Sequence, residues 1–532
     1  MSMPRSPARA WPDPSHLRRL RLVEPERLPW TVRLAAAARA WVDSPARLAA
    51  LLLLVAVAAR AAQFGNPVVQ VDDEFYLLTG DRMLHGALPY VDIWDRKPIG
   101  LFLIYAGIRL LGGAGVLQYQ IVATLFAVAT ALVVARIARN LSGPHGAAAA
   151  GVVYILYLGI FGGEGGQSPV FYDLFVALAA WTMIGLVRRP GFGTLAFGGG
   201  MVAMLLIGVA MQVKYTALFE GLFFGLALLW LGFKRGTGRG TLAAMALAWI
   251  GAALLPTLAA WAWYAAIGHG DAFVQANFLS ILDRGSDGLG IALKRLAGMV
   301  LCLVPLALAA WLGRGMARPV SDDVRRLLDG WAIAAIAGVL LFGTYFDHYA
   351  LPLIAPLCVL AAAWFGDGAA GLVLVSGRTR WRVPAGVAMM VLITFVSLQT
   401  VNDNRRARGW GPQVERMADF IRPQLRDCLY VFDGEPALYR LTGSCLPTRW
   451  PFPSHLTLTR ESRAIGGEPM AEVARIMAKR PEFVVASTRP DRDLSPEVLA
   501  YMTRLLERDY APALEVPVGS RSRIVYRRRP GA

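Results

Sequence analysis

The segment Gln70–Gly100, QVDDEFYLLTGDRMLHGALPYVDIWDRKPIG, directly follows the first long apolar run of the chain. Almost every other polar stretch before residue 400 is a short connector between apolar runs, whereas this one concentrates acids and bases. Its titratable side chains are Asp72, Asp73, Glu74, Asp81, Arg82, His85, Asp92, Asp95, Arg96 and Lys97. The segment is therefore the first candidate for a functional site, and the apolar runs around it decide how it is displayed.

The composition around this segment indicates a polytopic membrane protein. The 532 residues are 56% hydrophobic and 17% charged, and the mean hydropathy is +0.46. An α-helix needs about 20 apolar residues to cross the hydrocarbon core, and blocks near that length recur along the chain. The formal net charge is +17, and Arg and Lys between those blocks concentrate in the short connecting segments. Because no zinc-finger spacing or basic stripe interleaved with aromatics occurs, we expect no nucleic-acid partner.

Eleven apolar blocks predict eleven transmembrane helices over residues 46–400. Residues 1–45 form a basic cytoplasmic segment, and the first external loop covers residues 65–100. Positive charges collect in the loops predicted to be cytoplasmic, as the positive-inside rule requires. An odd number of spans places the two termini on opposite sides. The predicted spans are 46–64, 117–137, 146–162, 171–187, 195–213, 216–232, 241–266, 290–312, 330–346, 349–366 and 383–400.

Two features of this region are less regular. Residues 98–112 are apolar but short, which is typical of an interfacial or re-entrant helix. Arg60 is the single charge in the far half of the first span, where its side chain is expected to snorkel toward the interface.

The chain changes character at residue 401, where charged residues become frequent and apolar runs shorten to strand length. Residues 428–434 and 483–487 are predicted strands, and a closing hairpin follows near the C-terminus. Helical periodicity covers residues 413–422, 469–479 and 495–508. We therefore expect a small α/β domain over residues 401–532.

The four cysteines divide into two pairs. Cys302 and Cys358 lie in apolar blocks and are expected to be buried and inert. Cys428 and Cys445 lie in the C-terminal domain, and an oxidising compartment outside the cytoplasm would permit a disulfide between them.

The three consecutive acids Asp72, Asp73 and Glu74 admit two interpretations. They are either solvated residues that cap the following helix, since acids favour a helix N-terminus, or part of a site at the membrane surface. The sequence after them predicts an amphipathic interfacial helix that ends near Gly86. Acids and bases would then be held together above the bundle, where a lipid headgroup is handled.

Three short motifs resemble the first external loop of GT-C glycosyltransferases. They are Asp73-Glu74-Phe75-Tyr76, Gly86-Ala87-Leu88-Pro89-Tyr90-Val91-Asp92 and Asp95-Arg96-Lys97-Pro98. The chain is similar to the bacterial family 39-like branch, which includes aminoarabinose, galacturonic acid and mannosyl transferases that use polyprenyl-phosphate sugars. Two departures stand out: Ile99 follows Lys97-Pro98 where the family often has a second proline, and Asp72 adds a second candidate acid.

The resemblance and the chemistry together imply roles for these residues. Transfer needs a base for the acceptor hydroxyl and positive charge for the departing phosphate. Asp73 is the candidate base with Asp72 as its substitute, and Glu74 is expected to orient the acceptor or help hold a divalent cation, Mg²⁺ or Mn²⁺. No cofactor is assigned. Lys97 and Arg96 are expected at the donor phosphate; the alternative for each is an ion pair with Asp92 or Asp95.

Four further residues are candidates for the same site. Tyr76 belongs to the first motif, Glu164 lies in a Gly-rich external loop, and Lys214 lies in a tight turn between spans. His348 lies in FDHYALPLIAP, which resembles a recurrent His-Tyr element of these transferases, and is expected at the lipid phosphate. The alternatives are a solvated loop acid for Glu164, a snorkelling side chain for Lys214 and a satisfied interfacial histidine for His348.

The predicted fold class is an α-helical polytopic membrane protein of GT-C type with a small C-terminal α/β periplasmic domain. The implied function is transfer of a sugar from a polyprenyl-phosphate donor to a lipid, glycan or protein acceptor at the periplasmic face of the bacterial inner membrane. A transporter or flippase of a lipid-linked or anionic substrate is the alternative, and it predicts charges near the middle of spans.

Overall fold

The computed structural model describes residues 41–285, 287–374, 382–489 and 493–531. Most of the basic segment predicted over residues 1–45 lies outside the described residues, as do Arg378 and Arg380 of a predicted cytoplasmic loop.

The chain forms a bundle of long helices followed by a smaller domain that contains a sheet. The helices up to residue 408 are α1 Pro45–Arg60, α2 Val71–Met83, α3 Ile99–Arg109, α4 Val116–Ala138, α5 Pro144–Ile160, α6 Ser168–Val187, α7 Thr194–Met211, α8 Leu218–Lys234, α9 Arg239–Ala266, α10 Gly270–Val274, α11 Leu289–Gly313, α12 Asp322–Phe342, α13 Leu351–Leu374 and α14 Arg382–Arg408. Each of the eleven predicted spans corresponds to one of these helices.

Nine helical segments of the described chain are long and apolar enough to cross a membrane. Two predicted spans fall outside that group. Helix α5 has only 17 residues, and α12 begins with the charged sequence DDVRR. The span predicted at 330–346 also ends earlier, since α12 stops at Phe342.

Helix α13 lies at the centre of the bundle. In the apolar window that contains its first two-thirds, 89% of the residues are buried, against 17% for the first span. Small side chains such as Ala361 and Ala362 let α13 pack against α5, α11 and α14.

Helices α2 and α3 connect the bundle to the C-terminal domain. Gly80 of α2 faces the backbone of Tyr105 and Ala106 in α3, and a Cβ at residue 80 would lie 2.7 Å from two of those backbone atoms. Asp73 through Gly80 are all buried, so α2 is enclosed on every side. The prediction of an amphipathic interfacial helix here is wrong, because the C-terminal domain covers the face that would otherwise meet water. The short helix predicted within residues 98–112 is present as α3.

The C-terminal domain is a four-stranded sheet with helices packed on it. Strand β1 pairs in parallel with β2, and β4 pairs antiparallel with both β2 and β3, which gives the order β1-β2-β4-β3. The strands are β1 Tyr430–Val431, β2 Phe483–Ser487, β3 Tyr510–Val518 and β4 Arg521–Arg528, and the helices are α15 Gly411–Ile421, α16 Ala437–Leu441, α17 Pro453–Thr457, α18 Pro469–Ala478 and α19 Pro496–Asp509. The strand predicted over residues 483–487, the three predicted helices and the closing hairpin are confirmed, whereas the strand predicted over residues 428–434 is present only as Tyr430–Val431.

The disulfide between Cys428 and Cys445 is also confirmed, with a Cα–Cα distance of 4.9 Å. The apolar core of the domain is not built from its own residues alone. Val68 and Leu78, from the first external loop, lie in the same apolar cluster as Val414, Leu429 and Val485. Helix α14 continues past residue 400 to Arg408, so the bundle and the domain are also joined by an unbroken helix.

Candidate functional site

The acid triplet occupies the first turn of α2. Gln70 has an extended backbone, and the helix begins at Val71, so Asp72, Asp73 and Glu74 lie where the helix dipole favours negative charge. Consecutive residues of an α-helix are separated by about 100° around its axis. The three acids therefore point at three different surroundings, and each is described in turn.

Asp73 points at the Gly-rich loop between α5 and α6. Its Oδ2 accepts a hydrogen bond of 2.8 Å from the Gly166 backbone N–H, and its Oδ1 is buried without a hydrogen-bond partner. A Cβ at Gly165 would lie 2.0 Å from Asp73 Oδ2, so only glycine permits this approach. Burial raises the pKa of Asp73 well above its ordinary value, and the charges of Asp72 and Glu164 raise it further. The carboxyl is thus buried and half satisfied, and its raised pKa makes it a stronger proton acceptor than an ordinary aspartate.

The loop over Asp73 is fixed from the opposite side by Arg60. The guanidinium donates to the carbonyl oxygens of Gly163 at 2.7 Å and Gly165 at 3.4 Å. Arg60 is only 3% exposed, so the expectation that it snorkels to the interface is wrong. The loop carbonyls bind the charge that the membrane interior would not accept.

Glu164 lies inside the same loop and is buried. Its Oε1 accepts from Asn404 at 3.3 Å and lies 3.9 Å from the Arg408 guanidinium, while its Oε2 has no partner. Burial raises the pKa of Glu164, and the charge of Arg408 opposes the rise. The structure therefore brings Glu164 close to Asp73, and the solvated-loop alternative does not describe its surroundings.

Asp72 points at a group of basic side chains. Its Oδ2 accepts from Gln167 Nε2 at 2.8 Å. Burial opposes ionisation, but the charges of Lys97, His348 and Lys214 lower the pKa of Asp72 to about 2. Asp72 is therefore a weaker base than Asp73 at neutral pH.

The two lysines beside Asp72 lie over aromatic rings. Lys97 Nζ is 5.2 Å from the centre of the Tyr76 ring, and Lys214 Nζ is 4.2 Å from that of Tyr349. Burial alone would lower the pKa of Lys97, but Asp72 and Asp95 raise it above its ordinary value. Burial and the charge of Lys97 lower the pKa of Lys214 to about 7. Within the described residues, neither ammonium group has a carboxylate oxygen within 4.0 Å, so both charges remain open to an anion.

His348 and Tyr76 complete this side of the site. The imidazole of His348 stacks on Phe346, with ring centres 6.0 Å apart, and meets the edge of Tyr349 at 4.6 Å. Tyr76 is buried, its hydroxyl has no partner, and its ring packs against Tyr105 at 5.6 Å. A small cavity next to Lys214 is lined by Tyr172, Thr216, Phe219, Glu220, Ala335, Gly338, Val339, Phe342, Tyr349 and Pro352.

Arg96 and Glu74 are directed away from this centre. Arg96 forms an ion pair with Glu461 of the C-terminal domain. Arg96 thus forms an ion pair, as the alternative predicted, but with Glu461 instead of Asp92 or Asp95. Asp92 accepts a hydrogen bond from the backbone N–H of Leu88, and Asp95 accepts one from that of Lys97. Glu74 accepts from the backbone N–H of Ala437 at 3.2 Å.

Several site residues were missed by sequence reasoning. Arg60 and Gln167 were visible only as an isolated charge in a span and as a polar residue of the Gly-rich loop. Asn404 and Arg408 lie beyond the predicted end of the last span, and no local signal connects them with Glu164. Tyr349 lies beside His348 in a motif that was noted for the histidine.

Sequence comparison matches neither a family model nor a curated protein. Among solved structures, ArnT from Cupriavidus metallidurans in the apo state matches with a TM-score of 0.61 at 14% identity, over 92% of this chain and 98% of that chain. The structure of that protein bound to undecaprenyl phosphate matches with a TM-score of 0.55 at 14% identity, over 90% and 97%. The apo oligosaccharyltransferase of Archaeoglobus fulgidus matches with a TM-score of 0.54 at 11% identity, over 83% and 69%. The chain therefore has the GT-C fold, and the predicted fold class is confirmed.

Proposed function

We propose that this protein is a membrane glycosyltransferase that moves a sugar from a polyprenyl-phosphate donor to an acceptor hydroxyl. The observation that carries the proposal is the geometry at the start of α2. Asp73 is a buried carboxyl with one oxygen that has no hydrogen-bond partner. The neighbouring residue Asp72 lies beside two ammonium groups that have no carboxylate partner, those of Lys97 and Lys214. Those are the two elements that the transfer of a sugar from a phosphate requires.

The reaction is a single displacement. Asp73 Oδ1 takes the proton of the acceptor hydroxyl while the acceptor oxygen bonds to the anomeric carbon. The bond between that carbon and the phosphate oxygen breaks, and its electron pair leaves with the phosphate. Because bond formation and departure occur on opposite faces of the sugar, the anomeric centre is inverted.

The cations stabilise the phosphate as its negative charge increases. Lys97 and Lys214 supply the charge, and His348 lies among them. Asp72 is better suited to maintain the protonated state of Lys97 than to act as a base, since its pKa is about 2. The small cavity beside Lys214 combines this ammonium group with apolar side chains and Glu220. The ArnT structure with undecaprenyl phosphate supports a polyprenyl-phosphate donor.

For a divalent cation at this site, we propose only which side-chain oxygens would bind it. No cluster of three or more His, Cys, Asp or Glu suited to a metal is found in the described part of the chain. Asp73 Oδ1 and Glu164 Oε2 are among the buried oxygens without partners, and carboxylate oxygens are the ligands that Mg²⁺ and Mn²⁺ prefer. A cation held there would add positive charge beside the reacting hydroxyl.

The proposed location is the bacterial inner membrane, with the N-terminus in the cytoplasm and the site and C-terminal domain at the periplasmic face. The distribution of Arg and Lys between the predicted loops supports this orientation. An oxidising periplasm is also consistent with the Cys428–Cys445 disulfide.

The decisive experiment incubates purified protein in lipid with a panel of radiolabelled polyprenyl-phosphate sugars and a bacterial envelope extract as acceptor source. We expect loss of one donor and the appearance of free polyprenyl phosphate together with a labelled product. Heat-unfolded protein is the control. An intact panel, with every donor recovered unchanged, would contradict the proposal and favour transport of the same lipids.

A further inference from the structure

Helix α2 lies between two bodies that contact it on different faces. On one side the Gly-rich loop donates the Gly166 N–H to Asp73. On the other side, about 100° around the helix, Glu74 meets the C-terminal domain. A rotation of α2 that moves Glu74 therefore moves the Asp73 carboxyl as well.

The surroundings of Glu74 are buried and specific. The side chain is 4% exposed, and its Oε2 accepts from the N–H of Ala437 at the start of α16. Glu435, two residues before Ala437, is held by Arg523 Nη2 at 2.7 Å, and Arg523 also binds Asp433 at 3.0 Å. All these partners belong to the C-terminal domain.

Several neighbouring groups act on the Glu74 carboxyl. Burial raises the pKa of Glu74 well above its ordinary value, and Glu435 raises it further; Asp73 adds a smaller effect in the same direction. The Ala437 N–H and the Arg523 charge oppose this rise. The Glu74 oxygen acts as an acceptor for the Ala437 N–H, and the carbonyl oxygen of a glutamine side chain can accept the same hydrogen bond.

The contact of Glu74 is part of a broader docking of α2 on the domain. The ring of Phe75 meets that of Phe452 at 5.3 Å, and Leu78 lies in the apolar cluster of the domain. At the other end of the helix, Arg82 donates to the Ser444 carbonyl. Glu74 differs from these contacts because it is adjacent to Asp73.

We propose that Glu74 is a positioning residue, which anchors α2 to Ala437 of the C-terminal domain and thereby holds the Asp73 carboxyl beneath the Gly-rich loop. The inference rests on the proposed function, since it concerns the same transfer reaction. It assigns the acid next to the candidate base neither to the acceptor nor to a cation. It also gives the C-terminal domain a role in aligning the base. A displacement of a reacting group by about 1 Å lowers the rate about 100-fold, which sets the expected size of the effect.

Two variants separate the effect of the length of the Glu74 side chain from the effect of its acidic group. Glu74→Gln keeps the length and a carbonyl acceptor for the Ala437 N–H but removes the acidic group. Glu74→Asp keeps the acid but is one methylene shorter, which withdraws the oxygen from Ala437. We expect Glu74→Gln to keep kcat within about tenfold of wild type, because the hydrogen bond persists, and Glu74→Asp to lower kcat about 100-fold with little change in the donor KM.

The control is Arg82→Ala, which removes a contact between α2 and the same domain far from Asp73. It should lower thermal stability while kcat stays within about tenfold of wild type. Circular dichroism and the thermal midpoint establish that each variant is folded. If Glu74→Asp does not fold, loss of kcat in folded Glu74→Gln would still overturn the inference.

The opposite order, with Glu74→Asp active and Glu74→Gln inactive, would show that the acidic group itself is required and would overturn the inference while leaving the proposed function intact. Equal losses in Arg82→Ala and Glu74→Asp would overturn it too, since any loosening of the domain would then suffice. If wild-type protein transfers no sugar from any donor, the proposed function fails and the inference fails with it.

Discussion

Two groups of charged side chains lie side by side in this protein, and the neighbours Arg96 and Lys97 belong one to each. Arg96 belongs to an ion-pair cluster that joins the helical bundle and its loops to the C-terminal domain. Its members are Arg96, Arg284, Arg295, Arg460, Asp287 and Glu461, with contacts of 2.9 Å for Arg284–Glu461, 2.6 Å for Arg295–Asp287 and 2.7 Å for Arg460–Asp287. Lys97 instead lies with Lys214 beside Asp72, over aromatic rings.

The difference between the groups is the degree of pairing. Every charge of the ion-pair cluster has an opposite charge within contact distance, although Arg96 Nε and Arg460 Nε are buried without a hydrogen-bond partner. The lysines beside Asp72, and the oxygens Asp73 Oδ1 and Glu164 Oε2, have no such partner in the described structure. Buried polar groups normally find partners, so we propose that a substrate supplies the missing contacts of the lysines, Asp73 and Glu164.

The largest expected effect comes from Asp73→Asn. The asparagine carbonyl still accepts from Gly166, so the helix stays in place, but the side chain no longer takes a proton. We expect transfer to fall about 1000-fold, in the range for loss of a general base. Donor consumption in lipid measures it, with the thermal midpoint as control. Full activity in a folded variant would remove Asp73 as the base.

The next largest effect compares the adjacent cations. Lys97→Met removes a charge that we propose faces the donor phosphate, and kcat/KM should then fall about 100-fold. Arg96→Gln breaks an ion pair with Glu461 instead, and it should change kcat/KM by less than about tenfold while lowering thermal stability. Steady-state kinetics and unfolding of both variants measure the contrast. The reverse order would place Arg96, and not Lys97, at the phosphate.

The pH dependence should show two limbs. Transfer rises with pH as Asp73, whose pKa is raised, loses its proton and becomes a base. It falls again as Lys214 loses its charge above its pKa of about 7. The fall in kcat/KM should reach about tenfold one pH unit above that value. In Lys214→Arg the guanidinium stays charged, and the upper limb should disappear. An unchanged upper limb in that variant would assign it to another group.

The smallest effect on activity is expected from Glu461→Gln, because its role lies in the ion-pair cluster. The variant leaves Arg96 and Arg284 without their counter-charge, which should cost about 3 kcal/mol of folding free energy. The charges of these arginines overcome burial and lower the pKa of Glu461 to about 2. Its contribution is therefore complete above its ordinary pKa of 4.5 and is lost as pH falls toward 2. Unfolding of both proteins across this pH range measures it; equal stability at neutral pH would contradict it.

The fold was largely predictable because its signals are local. Apolar blocks of membrane length marked the helices, and strand-length runs marked β2 and the closing hairpin. Two predictions, one of a helix end and one of a helix's exposure, failed for lack of such a signal. Helix α14 continues to Arg408 because a helix that leaves the membrane can remain a helix in the next domain. Helix α2 is enclosed because a domain more than 300 residues later in the chain covers it.

The residue types of the candidate site were predictable from the sequence, but the interaction partner of each residue was not. The composition of Gln70–Gly100 indicated acids and bases at a membrane surface, and Asp73, Glu164, Lys97, Lys214 and His348 do come together around α2. Arg96 and Lys97 are equivalent as neighbouring cations in the sequence. Their separation depends on Glu461, which no local pattern connects with residue 96.

The sequence by itself determined that this chain is a helical membrane protein with an acid-rich segment after its first span and a small α/β domain, since hydrophobic periodicity and length act over short stretches. Only the tertiary structure decided which charges are paired. Helical geometry turns Asp72, Asp73 and Glu74 toward the lysines, the Gly-rich loop and the C-terminal domain in succession. The physical reason is that pairing depends on partners brought from distant parts of the chain, and these partners distinguish a charge that stabilises the fold from one that is left for a substrate.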